Sequence, residues 1–89
     1  MKAAQQKQNL KPEDKSQAAI EIIMQASEGW PGIISRAKAV ELAGGAVASG
    51  TLANDDCKGV GPTGSFKIGR NRVYPRQGFR DYLIRKIEV

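Results

Sequence analysis

A chain of 89 residues is long enough for one domain and no more. Its composition, with 40% hydrophobic and 26% charged residues, is that of a folded globular domain. One cysteine and no histidine exclude an intramolecular disulfide, a conventional four-ligand zinc site and the commonest general base. We expect no cofactor and no enzymatic activity. Cys57 is expected to be a half-buried small residue, with a reactive thiolate as the alternative.

The positive charge is concentrated in the last third of the chain. The net charge is +5, and the segments 1–30 and 31–58 are each neutral. Residues 59–89 contain seven basic side chains against Asp81 and Glu88; the basic residues are Lys67, Arg70, Arg72, Arg76, Arg80, Arg85 and Lys86. Such a concentration indicates an anionic partner, although a charged surface that only maintains solubility has the same composition.

The beginning of the chain has few apolar residues. No apolar run approaches the ~20 residues of a membrane span. The first eight residues lack the apolar stretch of a secretory signal, so we expect a cytoplasmic protein without a membrane partner. Residues 1–11 are rich in Gln and Lys, and we expect them to form a disordered tail.

An additional N-terminal helix is predicted over residues 12–29. Pro12 suits the first helical position, and Gly29 followed by Pro31 ends the helix. Its apolar residues occupy more than one face: Ala18, Ala19, Ile20, Ile22, Ile23, Met24 and Ala26. We expect Ile23, Ala19 and Ala26 to pack on the domain and the other side to support weak self-association. A short β-branched strand over residues 20–23 is the alternative.

Two short helices follow, separated by a glycine-containing turn. Residues 32–34 form a short extended candidate, and Ser35 has the side chain of an N-cap. The helix after Ser35 ends at residues 44–45, both glycine, and a third helix begins near Ser49 and stops at Gly59. This arrangement is typical of a helix-turn-helix.

A basic hairpin and a closing helix are predicted next. Residues 66–68 and 73–74 alternate with polar residues across a tip at 69–72, where Gly69 and Asn71 provide positive φ. We expect the apolar hairpin side chains to face the core, with stacking on RNA as the alternative; these are Phe66, Ile68, Val73 and Tyr74. A final amphipathic helix is indicated by Phe79, Tyr82, Leu83 and Ile87.

This order of elements resembles the winged helix-turn-helix of the excisionase and MerR-like families. Residues 35–42 look like its first helix, and residues 51–54 with 58–62 resemble the recognition helix and exit turn of phage-type members. Residues 67–75 resemble the wing, and residues 79–83 match the closing helix. The resemblance implies a mainly α fold with a small β-hairpin, forming a DNA-binding domain over residues 30–89.

The same resemblance implies sequence-specific binding of double-stranded DNA. The chain would act as an excisionase-like recombination accessory factor or as a regulator of transcription, with an integrase or RNA polymerase as the protein partner. Another class of function stays open, a protein-interaction module that uses the apolar helix at residues 12–29. The DNA site sequence and the oligomeric state are left open.

The candidate base-reading residues lie in the third helix. We predict that Ser49, Thr51 and Asn54 reach base edges and that Lys58 contacts a phosphate. The alternatives are that Ser49 caps the helix in place of Ala48, that Thr51 bonds within its own turn, and that Asn54 is a solvated amide. Two carboxylates at residues 55–56 oppose both the helix dipole and a phosphate backbone.

The candidate phosphate contacts lie mainly on the wing and its flank. We predict that a basic tip contacts the backbone or enters a minor groove, where Arg is favoured; these residues are Lys67, Arg70, Asn71, Arg72 and, beside them, Arg76. Arg36 and Lys38 are predicted to reach the DNA backbone from the first helix of the unit. The alternative for the tip is an ordinary charged hairpin that discourages edge-to-edge pairing.

Overall fold

The computed structural model describes residues 12–88, with side chains described from Lys15 onward. The tail predicted for residues 1–11 lies outside the described residues. The longest described helix has 16 residues, and none of the helices within residues 12–88 combines the length and apolar character needed to cross a membrane.

The described chain is mainly helical and contains a small antiparallel sheet. The elements in chain order are α1 (Pro12–Ser27), β1 (Ile33–Ser35), α2 (Arg36–Leu42), α3 (Ser49–Lys58), β2 (Phe66–Ile68), β3 (Asn71–Pro75) and α4 (Arg76–Arg85). The sheet has three strands in the order β1-β3-β2, whereas the sequence predicted a two-stranded hairpin. The extra strand joins because Ile34 lies opposite Tyr74 in the β1–β3 register and both side chains are completely buried.

The N-terminal segment is helical, so the alternative of a strand over residues 20–23 is wrong. α1 packs against α4, and Ile23 lines a cleft together with Val47 and Leu83. The prediction that Ala26 also packs on the domain is wrong, because Ala26 is exposed. Ser27, one turn after Ile23, is buried instead, and its Oγ donates to the carbonyl oxygen of Met24 at 2.7 Å.

The predicted caps of the next two helices are partly confirmed. Ser35 is the N-cap of α2, and its Oγ accepts a hydrogen bond from the backbone N–H of Lys38 at 3.1 Å. α3 ends at Gly59, as predicted. At the start of α3 the N-cap is Ala48 and Ser49 is already helical, so the expectation that Ser49 takes over the cap is wrong.

The β2–β3 hairpin has a tighter turn than the predicted tip at residues 69–72. Ile68 pairs with Asn71, which leaves only Gly69 and Arg70 in the turn. Gly69 has φ +63°, the left-handed value that the first position of a type II′ hairpin turn needs. Asn71 does not adopt positive φ, so that prediction is wrong; Asn71 and Arg72 belong to β3.

Aromatic side chains form the centre of the core. The Phe79 ring lies 5.4 Å from Trp30, 6.1 Å from Tyr74 and 6.1 Å from Tyr82, measured between ring centroids. Phe79 is completely buried, and its ring joins α4 to the sheet and to the segment after α1. The close approach of α4 to the preceding loop requires Gly78, since a Cβ there would overlap the carbonyl oxygen of Thr63.

Candidate nucleic-acid interface

α3 presents a polar outer surface because one residue anchors its inner side. Leu52 is completely buried. The predicted base-reading and phosphate residues are all exposed on the remaining surface; they are Ser49, Thr51, Asn54 and Lys58. The expectation that burial of Leu52 turns Asn54 outward is confirmed, since two residues advance a helix by about 200°.

Asp56 joins three elements from the C-terminal half of α3. Its Oδ2 accepts from Arg36 Nη2 at 2.8 Å and from the Tyr74 hydroxyl at 2.8 Å. Arg36 Nε donates in turn to the Tyr74 hydroxyl at 3.0 Å, which closes a triangle between α2, α3 and β3. The Asp56 side chain is only 10% exposed. This carboxylate therefore holds α3 in place and is partnered by a cation within the protein.

Asp55 makes a similar anchor on the neighbouring side of α3. Its Oδ2 accepts from the Tyr82 hydroxyl at 2.6 Å and lies 3.1 Å from Lys86 Nζ. Lys86 Nζ also lies 5.0 Å from the centre of the Tyr82 ring. The sequence predicts that these two carboxylates oppose a phosphate backbone. In the structure both are turned toward α2, β3 and the C-terminal end of α4.

These anchors shift the pKa values of Asp55 and of the two tyrosines. The hydrogen bond from Tyr82, and then that from Lys86, lowers the pKa of Asp55 below its ordinary 3.8. Burial, followed by the hydrogen bond to Asp55, raises the pKa of Tyr82 well above 10.0. Burial also raises the pKa of Tyr74. Each of the two tyrosines therefore keeps the proton that it donates to a carboxylate.

We expect the free energy of unfolding to decline at both ends of the pH range. The folded-state pKa of Asp55 lies below the unfolded value, so its contribution is present above about pH 4 and is lost as the pH falls through the folded value. The tyrosines have raised folded-state pKa values, so their contribution is present below about pH 10 and is lost as the pH rises further. Urea unfolding from pH 3 to 11 measures this profile.

The variant Asp55→Asn isolates the acid limb of that profile. An asparagine does not titrate in this range, so the decline below about pH 4 is expected to be shallower than in the parent protein. An unchanged acid limb in Asp55→Asn would show that other carboxylates cause it. Asp81→Asn is the control, because Asp81 lies on the exposed side of α4 beside Arg80.

The basic residues of the hairpin lie across a cleft from α3. Lys67 and Arg72 are direct partners in the β2–β3 register and therefore share one face. Together with Arg70 they line a cleft whose opposite wall includes Ala53 and Cys57 of α3. Arg36 and Asp56 also line this cleft, and they carry opposite charges 2.8 Å apart. Three further cations therefore face the outer surface of α3.

A second cleft lies between the hairpin and the start of α2. Arg70, Asn71 and Arg72 line it together with residues 35–37. Arg72 Nη1 donates to the Ser65 hydroxyl at 3.3 Å, which holds this guanidinium near the base of β2. Arg70 and Asn71 are exposed at the end of the hairpin. The structure brings the predicted hairpin residues together around these two clefts.

The three remaining predicted contacts already have partners within the protein. Arg36 belongs to the Asp56 triangle, and Lys38 Nζ lies 3.3 Å from a carboxylate oxygen of Glu41. Arg76 Nη1 donates to the carbonyl oxygen of Trp30 at 3.1 Å, and its backbone N–H donates to Gly32. Arg76 thereby fastens the start of α4 to the segment before β1. Their contacts with DNA stay predictions.

The prediction that all four apolar hairpin residues belong to the core is wrong for two of them. Val73 and Tyr74 are buried, but Phe66 is 42% and Ile68 is 54% exposed. β2 is an edge strand of three residues, and Phe66 and Ile68 lie on the face opposite Lys67. Cys57 is also exposed, contrary to expectation, because it lies on the outer surface of α3.

Sequence reasoning missed the two tyrosine hydroxyls that position α3. Tyr74 bonds a carboxylate 18 residues away, and Tyr82 bonds one 27 residues away. Both tyrosines read as ordinary core aromatics, and no local spacing signals such distant partners.

Comparisons with protein-family models, with curated proteins and with solved structures find no match for this chain.

Proposed function

We propose that this chain binds double-stranded DNA as a winged helix-turn-helix, with α3 as the recognition helix and the β2–β3 hairpin as the wing. The observation that carries the proposal is the cleft between α3 and the hairpin, which three cations line: Lys67, Arg70 and Arg72. In a duplex a phosphate backbone separates each major groove from the next minor groove. A helix in the major groove and a hairpin over the minor groove would hold that backbone between them.

The charge of this region supports an anionic partner. Residues 57–80 include six basic and no acidic side chains. The two carboxylates just before them are occupied by Arg36, Tyr74, Tyr82 and Lys86. Phosphates approaching the cleft therefore meet cations without an opposing free carboxylate from α3.

In this proposal the contacts divide into two kinds. Asn54 reads a base edge in the major groove, with Ser49 and Thr51 beside it at the start of α3. The cations supply affinity by neutralising phosphates; these are Lys58, Lys67, Arg70 and Arg72, with Asn71 at the wing. The resemblance to excisionase and MerR-like proteins assigns the DNA complex to recombination or transcription control in the cytoplasm, beside an integrase or RNA polymerase.

The proposal is tested by titrating the full chain with duplex DNA at several salt concentrations. With about 3–5 phosphate contacts, log K should fall against log salt with a slope of roughly −3 to −5. Backbone amide shifts on adding DNA should cluster at residues 49–58 and 67–72. Binding without salt dependence, or shifts confined to α1, would contradict the proposal.

A second candidate function, protein association through α1, is favoured by the exposure of Ile22, which lies about 200° around the helix from Met24. Ile22 is 68% and Met24 is 41% exposed, while Ile23 faces the cleft beside α4. An uncovered isoleucine on a helix is available for contact with a second copy of the chain. Burial of an isoleucine contributes ~1.5–3 kcal/mol, so a pair shared across an interface supports weak self-association.

Sedimentation of the full chain over a range of concentrations tests this second function. We expect a rise in average mass with concentration that Ile22→Ser abolishes. Ile33→Ser is the control, because Ile33 is 53% exposed but belongs to β1 of the sheet and not to α1. If the parent protein and Ile22→Ser both stay monomeric at high concentration, self-association is contradicted and α1 only enlarges the folded domain.

A further inference from the structure

The outer face of the hairpin carries two exposed apolar side chains, Phe66 and Ile68. Phe66 and Ile68 alternate with Lys67, so they lie on the face turned away from the α3 cleft. Phe66 is opposite Val73, which is only 5% exposed, whereas Ile68 is opposite the exposed Asn71. Ile68 is therefore the apolar residue nearest the turn and the least covered of the two.

The surroundings of Ile68 indicate the chemistry of what would cover it. The turn directly after it consists of Gly69 and Arg70, and Lys67 directly precedes it. No acidic residue occurs between positions 57 and 80, so the charged residues of the segment that carries the apolar tip are all cationic. A surface of this kind is complementary to a partner that combines negative charge with flat apolar groups, which describes the phosphates and bases of DNA.

We infer that the hairpin tip acts as a wedge, with Ile68 entering the minor groove and partly unstacking one base step while Arg70 lies along the groove. This inference rests on the proposed function, since it assigns the DNA-facing role of the hairpin's second face. With the phosphate backbone between α3 and the inner hairpin face, the tip extends past that backbone into the adjacent minor groove. Apolar wedges inserted there kink the duplex toward the major groove.

The wedge also predicts a preference that no base contact explains. Pyrimidine–purine steps such as TA unstack more easily than other steps. The hairpin would therefore favour sites with such a step one groove away from the bases that α3 contacts. The preference would be set by the deformability of the DNA and would disappear with the wedge.

The test uses the full chain and a duplex carrying 2-aminopurine at a central TA step and a fluorophore pair at its ends. Low salt ensures that backbone contacts saturate binding, which anisotropy measures independently. We expect the parent protein to raise 2-aminopurine fluorescence and to shorten the end-to-end distance. Ile68→Ser should lose more than about half of both changes at saturation, and its salt slope should be unaltered because no charge is removed.

Ile33→Ser is the matched control. Ile33 lies on the same face of the sheet as Ile68 and is equally exposed, at 53% against 54%, but it belongs to β1, two strands away from β2. The control should unstack and bend the duplex as the parent does. The inference is overturned if Ile68→Ser retains both signals, if Ile33→Ser loses them equally, or if the parent binds without either change.

Two further outcomes separate this inference from its alternatives. If the parent protein causes no anisotropy change, it does not bind DNA, and both the proposed function and the wedge are wrong. If sedimentation without DNA shows self-association that Ile68→Ser abolishes, the outer hairpin face belongs to a second copy of the chain and the wedge is wrong. If the parent protein binds DNA that stays straight, the wedge is wrong but the proposed DNA binding is not contradicted.

Discussion

Replacing Arg70 and Arg72 together by alanine is expected to weaken DNA binding at every sequence and to reduce the salt slope by about two units. Both guanidinium groups line the cleft that faces α3, so each is placed to neutralise a phosphate. The loss should be largest at low salt, where counterion release contributes most. Titrations of one preferred and one unrelated duplex at several salt concentrations measure it.

Two comparison variants show whether the effect belongs to the cleft. Arg80→Ala removes one positive charge from α4, where Arg80 lies beside Asp81, and should leave the slope nearly unchanged. Asn54→Ala should keep the slope but relax sequence preference, with a loss of ~1–3 kcal/mol on the preferred site. A slope change of about one unit in Arg80→Ala, half that of the double variant, would mean that only total charge matters. If only the arginine variant loses its sequence preference, the hairpin and not α3 contacts the bases.

Asp56→Ala is expected to lower the free energy of unfolding by about 2–3 kcal/mol. The substitution leaves Arg36 and the Tyr74 hydroxyl without their shared acceptor, and Tyr74 is completely buried. The expected loss is below that of a fully buried pair because the Arg36 side chain is 31% exposed. Urea unfolding measures the change.

The same variant distinguishes two roles for this carboxylate. If Asp56 only repelled phosphates, its removal would tighten DNA binding. As an anchor of α3, its removal should weaken binding, because the helix loses its connection to α2 and β3. Tyr74→Phe, which removes one hydroxyl, should cost about 1 kcal/mol, and a double-mutant cycle with Arg36→Ala should give a favourable coupling energy. Tighter binding by a fully stable Asp56→Ala would contradict the anchoring role.

Local chemistry made several features predictable from the sequence. A serine hydroxyl caps the helix that follows it, and Ser35 does so through contacts three residues away. Gly59 and Gly69 mark a helix end and a hairpin turn because their backbone conformations are local properties. The helical spacing of apolar residues likewise predicted α4 and the outward position of Asn54 opposite Leu52.

The burial of single side chains was not predictable in the same way. The alternation of residues 66–74 predicted a hairpin correctly, but alternation alone does not show which face a core covers. Phe66 and Ile68 are exposed because β2 is a short edge strand that pairs with β3 alone within residues 12–88. Cys57 is exposed for a related reason, since Leu52 is the only buried residue of α3 and Cys57 lies about 140° around the helix from it.

The sequence by itself determined which segments form helices and a hairpin and where the positive charge is concentrated, because these depend on residues within a few positions of each other. Only the tertiary structure decided the role of the acidic pair in α3. Asp55 and Asp56 read as charges that oppose DNA, yet their partners come from α2, β3 and the end of α4. Hydrogen bonds spanning 18 to 27 residues depend on how the elements pack, which local spacing does not encode.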